Sequence, residues 1–262
     1  MNYIKAYSNE NAVKVIAFAI NFSEKITDVK VHELINQIKS NEYFKKNFSK
    51  FEDQTQFSLV FGPDGAQQQT VTVNGIILYE NQLLWSLTFN SDVILITCKK
   101  YNRWKEISIG AYAHLEHLIR IIDSGINISQ VTLEYLDEFE ILNPSERWKN
   151  ELFNFSCKYL NPNLYTLTDF WHLNQGYFIK LEGLENKLLD TININYFADQ
   201  NDSFKHKLNI RTQHKLLVEP VKPISDFNYI KDCFEKMHIH SKEIFESIVH
   251  NDVLNTFARR KN

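Results

Sequence analysis

The chain has 262 residues, 44% apolar and 13% aromatic, enough to bury a sizeable core and too apolar for a disordered segment. Its formal charge of -3 balances 29 cationic against 32 anionic residues, so no whole-molecule field draws it to nucleic acid or to an anionic membrane. Three cysteines, Cys98, Cys157 and Cys233, are odd in number and far apart, which argues against a disulfide framework and for a reducing, cytoplasmic setting. No stretch approaches the roughly 18 apolar residues of a membrane span. The short run 15–20 has no cationic leader before it.

Along Val13–Phe22 both alternating sets are apolar, which predicts a central strand covered on both faces. Thr27 and Asp28 offer capping oxygens to a helix carrying Val31, Leu34, Ile35, Ile38 and Phe44 and ending near Phe48. Between Gln54 and Lys99 turn signals at 62–65, 80–82 and 90–92 separate the strands of an antiparallel meander. Asn74-Gly75 reads either as a hairpin or as a bulge inside one strand. A helix over 102–123 follows, with Trp104, Ile107, Ala111, Leu115, Leu118 and Ile122 on one stripe and Gly125 as its C-terminal cap.

A second strand is predicted over 129–141, then a helix carrying Trp148, Leu152 and Phe155. Strands are predicted near 164–172, 177–182, 187–197 and 207–218, with turns at 174–176, 183–186 and 199–203. Pro220 and Pro223 separate this sheet from a helix over 226–250 and a short helix running to Arg260. The order strand, helix, four strands, helix thus occurs twice. Tyr101-Asn102-x-Trp104 opens the long helix of the first copy and Phe227-Asn228-x-Ile230, 126 positions on, that of the second. The expected fold is α+β, a tandem duplication of two closely packed units, 1–126 and 127–262. Each has an antiparallel sheet with helices on one face, and the units meet along the strands at 13–22 and 129–141 or along the long helices.

Several segments resemble a sporadically distributed bacterial protein family that has no established activity. The opening strand 11–22 resembles the family's own, usually a Pro-hydrophobic-x-Glu-hydrophobic pattern, with Ala12 in place of the proline. Tyr101-Asn102-Arg103-Trp104 matches a Tyr-x-x-Trp helix start, and 131–139 falls where the family has a Leu-Arg-Tyr-Ile-Asn-like strand, here with Glu134 for the arginine and Asp137 for the asparagine. His238, seven residues before Phe245, stands as in a His-x6-Phe-Glu helix. The resemblance spans almost the whole chain and implies the fold and its boundaries.

Candidate chemistry is sparse. His238 is predicted to sit in the apolar stripe with Phe227, Phe234 and Phe245, buried and needing a hydrogen-bond partner, while His240 points elsewhere. Asp137 shares its strand face with Val131, Leu133, Tyr135 and Phe139. It should be paired, with Arg147, Lys149 or His238, or lie at the sheet's mouth. Lys99, Lys100, Arg103 and Lys105 beside Tyr101 and Trp104 form the best basic-aromatic cluster, although Trp104 heads an apolar stripe and reads as core. His114 and His117 are three apart without a third ligand, and Asp169 with Glu185-Asn186-Lys187 places the nuclease letters in a turn. The seven glycines form no phosphate cradle.

The sequence predicts no cofactor, no bound metal, no nucleic-acid partner and no membrane. It points to a non-enzymatic protein that recognises another protein or forms a homodimer, an accessory or neutralising partner of a bacterial toxin–antitoxin or phage-defence system. The alternatives are a small-molecule or nucleotide binding module, and an enzyme whose site is assembled between the halves from Asp137, His238 and a basic residue.

Overall fold

In a computed structural model the structure describes residues 3–8, 10–61, 67–82, 84–122, 125–144, 147–199, 202 and 205–259, with the backbone alone of 56–61, 67–72, 258 and 259. The turn signal at 62–65 lies outside these residues. In chain order the elements are β1 (Ile4–Ala6), β2 (Val13–Phe22), α1 (Asp28–Ser40), α2 (Glu42–Asn47), β3 (Lys50–Phe61), β4 (Gln67–Tyr79), β5 (Trp85–Asn90), β6 (Val93–Cys98) and α3 (Trp104–Ile122). They continue with β7 (Asn127–Ile141), α4 (Arg147–Leu152), β8 (Trp171–Lys180), β9 (Lys187–Ala198), β10 (His206–Pro223), α5 (Phe227–Ile248) and α6 (Asn251–Arg259).

The strands form one continuous antiparallel sheet in the order β3-β4-β5-β6-β2-β7-β10-β9-β8, with β1 also paired to β7. The fold is therefore α+β, but with one sheet where two were expected. β2 and β7 are its central pair, joined from Val13↔Asp137 to Phe22↔Ile128 with a register shift near each end. On each side the first strand of the half lies beside the last strand of its meander, β6 beside β2 and β10 beside β7. The meander has four strands in the first half and three in the second, because 171–180 is a single strand in which Asn174-Gln175-Gly176 makes no turn. Residues 162–165 form a 3-10 turn instead of a strand, started by Asn161, whose Oδ1 accepts from Asn163 N at 2.9 Å.

The helices pack on one face. Ile16, Phe18 and Ile20 of β2, Val131, Leu133 and Tyr135 of β7 and Leu208 and Ile210 of β10 are buried there. On the other face Val15, Ala17 and Ala19 are partly exposed, so β2 is not covered on both sides as expected. Small, apolar side chains there give the near-continuous apolar run of a fully buried strand without a second layer. On that open face Glu134 accepts from Arg211 at 2.8 Å and from Gln213 at 2.6 Å.

Local chemistry accounts for most of the remaining differences. The first helix breaks at Asn41, whose side chain accepts from Tyr43 N at 2.9 Å and so starts α2. Thr27 occupies the N-cap position of α1 without a side-chain cap bond. Asn74-Gly75 belongs to one strand that carries a bulge at Asn74, skipped between the Gln54↔Gly75 and Thr55↔Val73 pairs, and a Cβ on Gly75 would meet Asn90 Cβ at 2.7 Å. Gly125 has φ of 81°, the left-handed backbone expected of it after α3. Pro220 lies within β10, at the register shift between Leu217 and Lys222, where a missing N–H costs no ladder bond. No described helix is long and apolar enough to cross a membrane.

α3 and α5 lie side by side over β2 and β7. Phe18 packs edge-on against Phe234 at 5.1 Å and stacks with Trp104 at 5.7 Å. Glu235 ties the helices together, accepting from Trp104 Nε1 at 2.6 Å and from Tyr112 Oη at 2.9 Å. The buried residues Ile107, Ser108, Ala111, Leu115, Leu118 and Ile122 of α3 and Cys233, Phe234, Met237, Ser241, Ile244 and Ile248 of α5 stand in the same sequence offset.

Candidate functional site

A cavity of about 370 Å³ opens where the halves meet, between the chain leading into β2, the start of α3, β7 and the second half of α5. β7 supplies Tyr135 and Asp137 two residues apart, hence on the same face of the strand, and α5 lays His238, Ser241, Lys242 and Phe245 above them. Tyr101, Asn102, Arg103 and Trp104 form one wall, and Asn11 and Phe257 complete it. Residues 11–13, 101–104, Tyr135, Asp137 and the 238–245 stretch of α5 thus all reach this one cavity.

Asp137 is 3% exposed, and its carboxyl makes neither hydrogen bond nor ion pair with any described residue. Of the expected partners, Arg147 is exposed on α4 and the other two are engaged elsewhere. His238 Nδ1 is bonded to Tyr135 Oη at 2.8 Å, and the buried Lys149 ammonium donates to the carbonyl oxygens of Leu164 at 2.9 Å and of Leu167. Burial without compensation pushes the Asp137 carboxyl up to about 8, so it holds a proton at neutral pH. Burial, and then the Lys242 ammonium, push His238 down to about 4, leaving a neutral imidazole. Burial and the nearby Asp137 push the Tyr101 phenol up to about 12. Asn11 donates from Nδ2 to Tyr101 O at 3.0 Å, while its buried Oδ1 has no partner among the described residues.

His238 is half-buried at the margin of its helix stripe, not in the middle. The buried side of α5 runs through Ile230, Cys233, Phe234, Met237, His240, Ser241, Ile244 and Ile248. Trp104 stacks on His238 with ring centroids 4.2 Å apart and planes within 7°. Phe18 also stacks with Trp104 and Glu235 accepts from its indole N–H, so this partly buried ring packs against the core as well as lining the cavity. Of the predicted basic cluster only Arg103 lines the cavity; Lys99, Lys100 and Lys105 are exposed and outside it. Lys242, which the sequence reading passed over, joins Arg103 there.

His114 and His117 both pack against Tyr43 of α2. His114 Nδ1 meets Tyr43 Oη at 2.9 Å, and His117 stacks on the Tyr43 ring at 3.6 Å. A second groove of about 520 Å³, at Ser23, Lys25, Lys30 and Asn127, contains no buried titratable group. The seam cavity thus combines an uncompensated carboxyl, a neutral imidazole, an aromatic wall and two cations. Comparison of the sequence with family models and with curated proteins finds no match.

Proposed function

We propose that the chain binds a small molecule in the cavity between its halves. The observation that carries this reading is Asp137, a buried carboxyl with no protein partner among the described residues, facing a space large enough for a metabolite. A carboxyl left this way costs free energy that a ligand donor would recover. The unpartnered Asn11 Oδ1 asks for a second donor from the same ligand. The rings of Tyr101, Tyr135 and Phe245 favour a flat or cationic body, and Arg103 and Lys242 favour an anionic group at its other end. The ligand class is a zwitterion or a nucleoside-like molecule with its donor end toward Asp137.

Thermal-shift measurements with amino acids, polyamines, nucleosides and nucleotides test this. At least one class should raise the melting temperature of the parent and leave Asp137→Asn unmoved. A parent unaffected by every class would count against the reading.

The partner-protein reading draws support from a different place, the helix-free face of the sheet, where Phe178 is 59% and Leu217 40% exposed. A neutralising or accessory role would use that face. Duplication of an ancestral half is supported by the matching placement of β2 and β7 beside their meanders and by the common offset of the buried positions in α3 and α5.

A further inference from the structure

A second polar cluster lies deeper, away from the seam cavity. Asp190 of β9 and His214 of β10 are register partners, both 0% exposed, and His240 of α5 reaches them from above at 9% exposure. His214 Nδ1 is 2.6 Å from Asp190 Oδ1, and His240 Nε2 is 2.7 Å from Asp190 Oδ2. One donor atom from each residue lies within 4.8 Å of the others. No lysine or arginine pairs with Asp190 among the described residues, so its charge is met by two imidazoles alone.

We propose that Asp190, His214 and His240 bind a divalent first-row transition metal ion, zinc being the ion that best suits them. Two imidazoles and one carboxylate are the ligand set of open zinc and iron sites, which leave further positions for water or substrate. Bonds of about 2.0–2.2 Å in a tetrahedral site separate ligand atoms by roughly 3.4 Å, so to admit the ion the two contacts to Asp190 widen by less than about 1 Å while the two imidazole nitrogens, within 4.8 Å of each other, close toward that spacing. Two ligands stand on neighbouring strands and the third on a packed helix, a rigid support of the kind metal sites require. The ion would neutralise the carboxylate inside the core and link α5 to β9 and β10. Nothing here depends on the seam cavity, so either proposal can fail without the other.

Tag-free protein, stripped with a chelator and dialysed, is titrated with zinc and separately with cobalt. The expected result is one saturable equivalent of each, a visible d–d absorption from the cobalt form and a higher melting temperature with zinc. His240→Gln alters the least buried ligand. It should retain the far-ultraviolet circular dichroism of the parent and weaken binding about 100-fold or more, beyond the 10–100-fold effect of outer-shell partners. His114→Gln should leave binding intact. Failure of the parent to bind either ion, or undiminished binding by a folded His240→Gln, would overturn the proposal. If His240→Gln does not fold, the parent titration and the His114→Gln control decide it.

Discussion

Asp137 and His238 share a cavity but should act oppositely on stability as pH changes. An unfolded aspartate releases its proton near 3.8 whereas folded Asp137 holds it to about 8, so the native state binds the extra proton between these values. Stability should accordingly fall as pH rises from about 4 to 8. Asp137→Asn, which cannot ionise, should lose that slope and at pH 8 exceed the parent by on the order of a few kcal/mol, measured by urea unfolding across the range. A constant difference between the two proteins would show that Asp137 ionises normally. For His238 the folded value of about 4 lies below the ordinary 6.5, so its contribution is present above 6.5 and lost as pH falls toward 4. His238→Ala should cost about 1–3 kcal/mol by removing packing and leaving the Tyr135 hydroxyl without its partner, whereas equal stability at pH 7 would contradict that role. The sequence marked Asp137 because a carboxyl stood among Leu133, Tyr135 and Phe139. The same test applied to Asp190 beside Leu188 and Ile192, or to His214 beside Ile210 and Leu216, would have marked both. Asn11 carries no such signal, since it precedes its strand and owes its position to a contact with Tyr101 90 residues away.

At the scale of elements, α3 and α5 hold the cavity wall in place through Glu235. Glu235→Leu should strand the Trp104 and Tyr112 donors and cost about 1–3 kcal/mol. It should also loosen the Trp104–His238 stack, raising tryptophan mobility seen by fluorescence anisotropy, and an unchanged melting curve and anisotropy would contradict the account. The existence and type of these helices were legible from their apolar spacing. The phase of α5 was less so. Phe227, Phe234 and Phe245 drew the stripe toward His238, while smaller residues, Cys233, Met237 and Ser241, occupy its buried centre. Size and aromaticity attract the eye, but burial follows the 3.6-residue period. The break at Asn41 was hidden for a similar reason, because apolar Phe44 continues the pattern across a capping side chain.

For the molecule as a whole, β2 and β7 make the two halves parts of one sheet, and separating them would expose a long unpaired edge on each. A fragment of residues 1–126 should therefore lack a cooperative thermal transition, while the full chain unfolds in one step; a sharp transition in the fragment would contradict this dependence. That the strands at 13–22 and 129–141 are central could be read from their apolar content, but pairing between them is a long-range choice that no local pattern encodes. The seam cavity is a product of that pairing, which is why its members are scattered from Asn11 to Phe257. Native mass spectrometry of the purified 262-residue chain beside Asp137→Asn measures its occupancy most directly. A retained small molecule at one per chain, absent from Asp137→Asn, is the expected result. A bare parent, or one carrying a stoichiometric protein partner and no small molecule, would contradict the account.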